Sequence, residues 1–180
     1  MRKVLGTAVT VLALAAVPGV AAAQEHELGV DLALVYQSPS GGSGVFRIMT
    51  PVDVRLGFVS SHSLSFEPRL TMVVASTSGS TVYNIGPDLN LLWKLGAGSG
   101  PRRLMGPYLT AGLGTNIISF GSGNNSGATL TFNGGLGTRV PWGPGAFRVE
   151  GFVAFTPKNT SLAVPNTLSI GVRGGISLWH

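Results

Sequence analysis

His62, Ser63 and Glu67 are the only base, hydroxyl and acid that stand close together in the sequence, and a hydrolytic triad would use those residue types. A triad also needs its base within hydrogen-bond reach of the hydroxyl, so the elements carrying the three residues decide whether they can act. His62 and Ser63 fall in SSHS, a polar stretch between two apolar runs, whereas Glu67 lies inside the second run. That placement reads as a turn followed by one strand acid, with no catalytic residues. A metal could draw on His26, His62 and His180, which would share one rim if the first and last runs were neighbours. No thiolate partner accompanies them, since the chain has no cysteine, and neither a metal site nor a disulfide is expected. The glycine clusters form neither G-x-G-x-x-G nor a P-loop, so no nucleotide or other cofactor is implied.

The remaining charge-bearing residues follow a beat. In VDVRLGFV (52–59), Asp53 and Arg55 occupy alternate positions among Val52, Val54, Leu56 and Phe58. Read for period 2, residues 25–180 resolve into eight such runs separated by clusters of Gly, Ser, Asn and Pro. Six of the seven acids (Glu27, Asp31, Asp53, Glu67, Asp88, Glu150) take the polar phase of a run, as do seven bases (Arg47, Arg55, Arg69, Lys94, Arg139, Arg148, Arg173). None takes the apolar phase. Glycine recurs in the polar phase, where it makes room for bulky neighbours such as Tyr108 and Phe152.

Alternation alone also describes a soluble antiparallel sheet with one face on a core, and a soluble secreted barrel is the reading it leaves open. Two features favour lipid. An apolar face wholly free of charge is what a bilayer selects, because Arg or Lys at its midplane costs about 2–4 kcal/mol. The aromatics of that face also gather at the run ends: Tyr36, Phe46, Tyr83 and Phe155 beside one set of loops, and Phe58, Phe66, Trp93 and Phe147 beside the other, with Trp142 in a turn there. Two aromatic girdles mark the two water interfaces of a membrane. A run of about 12 residues, at about 3.3 Å each and tilted by about 40°, spans about 30 Å.

With 44% apolar and only 11% charged residues among 180, and a mean hydropathy of +0.35, the chain is neither disordered nor ordinary for a soluble protein. Residues 1–23 read as a secretory signal peptide: Arg2 and Lys3 precede an apolar stretch that ends in Ala21, Ala22 and Ala23. Residues 24–180 then form the one domain, and no later stretch is long and apolar enough for a transmembrane helix. The pI of about 10.3 reflects scarce charge and not a basic patch, so no nucleic acid is expected as a partner.

The expected fold is all-β, an eight-stranded antiparallel up-and-down transmembrane β-barrel, because closure removes the edges that lipid cannot satisfy. Residues 38–45, 76–81, 121–127 and 157–166 are the loops of one rim, and SSHS, GAGSGPRR and PWGPGA are the turns of the other. An eight-stranded barrel is just wide enough for its interior to be filled by side chains. Thirteen lumen charges should therefore pair into a buried network, since an uncompensated buried charge costs several kcal/mol. Asp53 and Arg55 are expected to pair with Glu67 and Arg69 on the next strand. A narrow water path or a catalytic lumen are the weaker alternatives.

GPYLTAGLGTN (106–116), FRVEGFVAF (147–155) and the closing IGVRGGISLW resemble the fifth, seventh and last strands of the small eight-stranded outer-membrane barrels, the family of the outer membrane protein A barrel domain and outer membrane protein X. The resemblance spans residues 25–180. It implies a bacterial outer-membrane location after export, contact with outer-membrane lipid and lipopolysaccharide, and recognition of the closing strand by the outer-membrane assembly machinery. Trp179 stands near the end of that strand, with His180 last. The reading is a monomer with a structural or surface-interaction role and no catalysis; a small passive channel is the alternative, and a lipid-modifying enzyme a further one.

Overall fold

A computed structural model describes residues 25–61, 63–77, 80–96, 105–120 and 126–179, although within strands the side chains of residues 47–52, 72–83, 118–120 and a few others are not described. The signal-peptide reading of residues 1–23 therefore lies outside the described residues, as do His62, Arg102, Arg103 and His180.

Each alternating run becomes a strand. In order they are β1 Glu25–Pro39, β2 Val45–Val59, β3 Leu64–Thr77, β4 Ser80–Lys94, β5 Gly106–Phe120, β6 Ser126–Trp142, β7 Gly145–Thr156 and β8 Thr167–Trp179. Every strand pairs antiparallel with its sequence neighbour, and β1 pairs with β8 from Glu27↔Trp179 to Pro39↔Thr167, which closes the barrel. At 12 to 17 residues the strands outrun the apolar alternation that announces them. The extra length lies mostly at the loop rim, where Ser76 and Thr77 or Ser126 and Gly127 continue the ladder with residues polar or small on both faces.

The barrel is inside-out. Leu32, Leu136 and Val172 point outward and are 53–55% exposed, while Arg55, Glu67 and Glu150 point inward at 0%. No Asp, Glu, Lys or Arg takes an outward strand position among the described residues. A few apolar side chains join the charged ones inside: Val35, Val59 and Leu92 take inward positions and are buried there.

One irregularity interrupts the ladder. The β1–β2 register runs regularly to Asp31↔Asp53 and resumes at Ala33↔Met49, so residues 50–52 are looped out of the pairing. Pro51 stands in the middle of this bulge, where its missing N–H takes nothing from the ladder. Farther along the chain, Gly143 (φ 49°) and Pro144 form the two-residue turn between β6 and β7. Glycine at the first central position with positive φ suits a primed hairpin turn, and proline fits the second.

The loop after β7 is ordered by Asn159. Its side chain accepts from the backbone N–H groups of Ser161 and Leu162, capping a single 3-10 turn (Thr160–Leu162), and donates to the carbonyl of Ala128 at 3.3 Å. The Leu162 side chain lies over Gly127, where a Cβ would collide with it. Ser40 also donates its backbone N–H to the Asn166 carbonyl at 2.8 Å, so the first and last loops are joined.

Candidate functional site

The lumen has two unlike halves. The half toward the rim that carries β1's start and β8's end is filled by charge, and Glu67 of β3 is its hub. The Glu67 carboxylate accepts from Arg69 Nε at 2.6 Å, Arg148 Nη1 at 2.7 Å and Arg139 Nη2 at 3.3 Å, with Arg55 Nη1 at 3.6 Å. Glu150 of β7 is a second hub, bound by Arg148, by Arg69 at 3.3 Å and by Arg173 Nη2 at 2.5 Å. Arg55 reaches the other way, to Glu27, to Asp31 at 2.8 Å and to Ser177 Oγ at 2.7 Å. Arg139 closes the ring by reaching Glu27 at 2.9 Å.

Tyr108 ties the hubs together. Its hydroxyl accepts from Arg148 Nε at 2.6 Å and donates to Glu150 at 2.8 Å, and the Arg139 guanidinium lies 4.8 Å from the centre of its ring. Asn90 of β4 donates to the Glu67 carbonyl at 3.4 Å, so all eight strands contribute a polar group to the plug. Glycines give it space: a Cβ at Gly29 would fall on the Arg55 guanidinium, and one at Gly137 on the Tyr108 hydroxyl.

Asp53 does not pair with Arg69. It accepts from the Thr71 hydroxyl, and it meets Arg173 of β8 at 3.6 Å. The register places Arg55 opposite Arg69, two like charges. Arg69 turns to Glu67 of its own strand and to Glu150, and Arg55 to Glu27 and Asp31 of β1, while lying 3.6 Å from Glu67 on the next strand as expected. The reason is the bore. In so narrow a barrel an arginine reaches across the lumen as readily as along the wall, as Arg148 of β7 does to Glu67 of β3.

Counted with Asp53, the network holds five carboxylates (Glu27, Asp31, Asp53, Glu67, Glu150) and five guanidinium groups (Arg55, Arg69, Arg139, Arg148, Arg173). Its charges balance, as burial demands. Asp88 and Lys94 also take inward positions but make no ion pair among the described residues; the Arg47 side chain lies outside them, and its backbone pairs with Val35.

The half of the lumen toward the loops is open. A cavity of about 200 Å³ lies there, with Asp53, Asp88, Arg173 and Phe152 among its lining residues. Several inward positions at this level are small or short, such as Ala33, Thr71, Gly86, Ala154 and Ser169, so beside Phe152 the wall leaves space that arginine and tyrosine fill in the other half. The lumen is thus packed over half its length and not throughout.

The other sequence candidates disperse. Ser63 is exposed in the β2–β3 turn, whereas Glu67 is bound by arginines inside the plug. His26 packs edge-on against Phe58 with ring centres 5.5 Å apart. Among the described residues no group of three His, Cys, Asp or Glu could hold a metal. Tyr36 and Phe46 pack together outside the loop half at 4.8 Å, with Phe155 exposed on the same side. Trp142 and Phe147 meet at 5.0 Å by the opposite rim, where Trp93 is exposed and Phe58 and Phe66 are half-buried. The Tyr83 side chain lies outside the described residues.

No protein-family profile matches the chain, and no curated protein matches it in sequence. Solved structures do match in fold. Neisserial surface protein A (NspA) superposes with a TM-score of 0.64 at 17% identity, covering 85% of this chain and 96% of that one. Ail, the attachment invasion locus protein of Yersinia pestis, gives 0.52 at 10% identity over 86% of this chain and 98% of its own. Its complex with the heparin analogue sucrose octasulfate gives 0.51 at 11% identity over the same shares. The fold is that of the small eight-stranded outer-membrane β-barrels.

Proposed function

We propose that the chain is an integral outer-membrane β-barrel protein with a plugged lumen, acting at the cell surface in a structural or interaction role without catalysis. The observation that carries this reading is the division of charge: the outward face has none among the described residues, and the inward face balances its arginines against carboxylates. An exterior of exposed leucine, valine and phenylalanine is stable where the surrounding solvent is acyl chain. Contact with outer-membrane lipid and lipopolysaccharide, and insertion by the assembly machinery through β8, follow from the same reading. The four loop segments of the outer rim hold Lys158 as their single basic residue. A sulfated polyanion such as the one bound to Ail therefore finds little charge here, and the loops favour uncharged polar contacts.

The cavity gives a passive channel its one supporting observation. It ends at Arg173 and Asp53, where the ion-pair plug begins. The purified barrel in planar bilayers is accordingly expected to show no stable unitary conductance. Reproducible single-channel steps from the unmodified protein would contradict the plug and favour the channel.

A further inference from the structure

We propose that the loop-side cavity binds a small organic cation bearing a primary ammonium group, with Asp88 as its counter-charge. The cavity is lined by two carboxylates, Asp53 and Asp88, against one described cation, Arg173. Arg173 is engaged already: it reaches Glu150 at 2.5 Å and Asp53 at 3.6 Å, and its guanidinium lies 4.6 Å from the centre of the Phe152 ring. Asp88 makes no ion pair among the described residues. Lys94, on the same face of the same strand, is six residues away, about 20 Å at strand spacing, and cannot serve it.

The polar groups above the floor extend the preference for a donor. Asn116 donates one of its two amide N–H groups to Thr131 Oγ1 at 3.2 Å, and Thr131 is bonded in turn to Thr156 at 2.9 Å, which holds the amide in the wall of the cavity. Asn84 Oδ1 is buried in the same wall and has no partner among the described residues. Asn84 Oδ1 and the Asp88 carboxylate are acceptors, which an ammonium group with three N–H donors satisfies and an anion does not. At about 200 Å³ the space is below the roughly 300–1,000 Å³ usual for drug-sized ligands, so the occupant is a short amine. The site needs only the closed lumen, and it stands or falls independently of which membrane holds the barrel.

The test uses the full-length barrel refolded in detergent micelles and three probes on one two-carbon frame: ethanolamine as the cation, ethylene glycol as the neutral form and glycolate as the anion. Ethanolamine is expected to shift the side-chain amide NMR signals of Gln37, Asn84 and Asn116 saturably, with the other two probes inert. Asp88→Asn, which preserves volume, should weaken the affinity at least tenfold while the barrel keeps its heat-modifiable gel mobility. Asn116→Asp should tighten binding, a gain that misfolding cannot produce. Arg47→Gln, at the position opposite Val35, should leave the affinity unchanged or raise it. Undiminished binding in Asp88→Asn, equal binding of glycolate, displacement of the amine by millimolar calcium at the same signals, or loss of affinity in Arg47→Gln would each overturn the proposal.

Discussion

Replacing Glu67 by methionine is expected to cost the folded barrel about 3–5 kcal/mol, the usual loss when one member of a buried ionic network is removed. Glu67 is 0% exposed and faces Arg69, Arg148, Arg139 and Arg55, so its loss leaves one uncompensated positive charge among them. Methionine fills the space without restoring the balance. Removing Arg148 as well does restore it, because the carboxylates and guanidinium groups are then equal again. The double variant Glu67→Met/Arg148→Met is therefore expected to be more stable than Glu67→Met alone, despite having lost more hydrogen bonds. Urea unfolding in micelles, followed by gel mobility, measures both. A single variant as stable as the parent would show that the network does not hold the barrel, and a double variant weaker than the single would show that charge balance is not what it supplies.

An arginine in place of Leu136 tests the other face. Leu136 points outward near the middle of β6, between Phe132 and Trp142, and is 55% exposed. If acyl chains surround it, the substitution costs about 2–4 kcal/mol of folding into a bilayer, the range for Arg near the midplane of a transmembrane barrel. Folding yields into phospholipid vesicles across a urea series would report the loss. Arg at a surface position facing water changes stability by less than about 0.5 kcal/mol, and a result of that size would mean that the apolar exterior faces something other than lipid.

How much of this was legible in the sequence depends on geometry. Which side chains point inward follows from a strict period of 2, and Asp53 and Arg55 announce it because charge cannot take the other phase. Partners are another matter. Pairing across the lumen depends on stagger and bore, which no local pattern carries, and so Asp53 meets Arg173 of β8 where a neighbour on β3 was expected. The bulge at residues 50–52 had a partial signal in Pro51, although Pro68 and Pro87 also stand inside alternating runs without shifting the register. The cavity had one too. Inward positions end short toward the loops, at Ala154 on β7 and Ser169 on β8, although Phe152 and Arg173 line the cavity beside them, so side-chain size by level marks the cavity only in part.

Tyr108 was legible only as bulk. Its part in joining Arg148 to Glu150 requires the two hydrogen bonds that its hydroxyl makes, and these depend on β5 and β7 flanking β6, whose Gly137 pairs with Tyr108 on one side and Glu150 on the other. The candidate hydrolytic trio fails for a related reason: Ser63 lies in a turn and Glu67 is bound inside the barrel, and closeness in sequence does not survive alternation.

The central claim is a closed barrel resident in the outer membrane, and gel mobility of the protein from purified outer membranes tests both parts together. The account predicts that the protein is recovered in that fraction and migrates faster without boiling than after it, because an intact barrel resists detergent unfolding until heated. Recovery in the aqueous fraction, or a mobility indifferent to boiling, would contradict it.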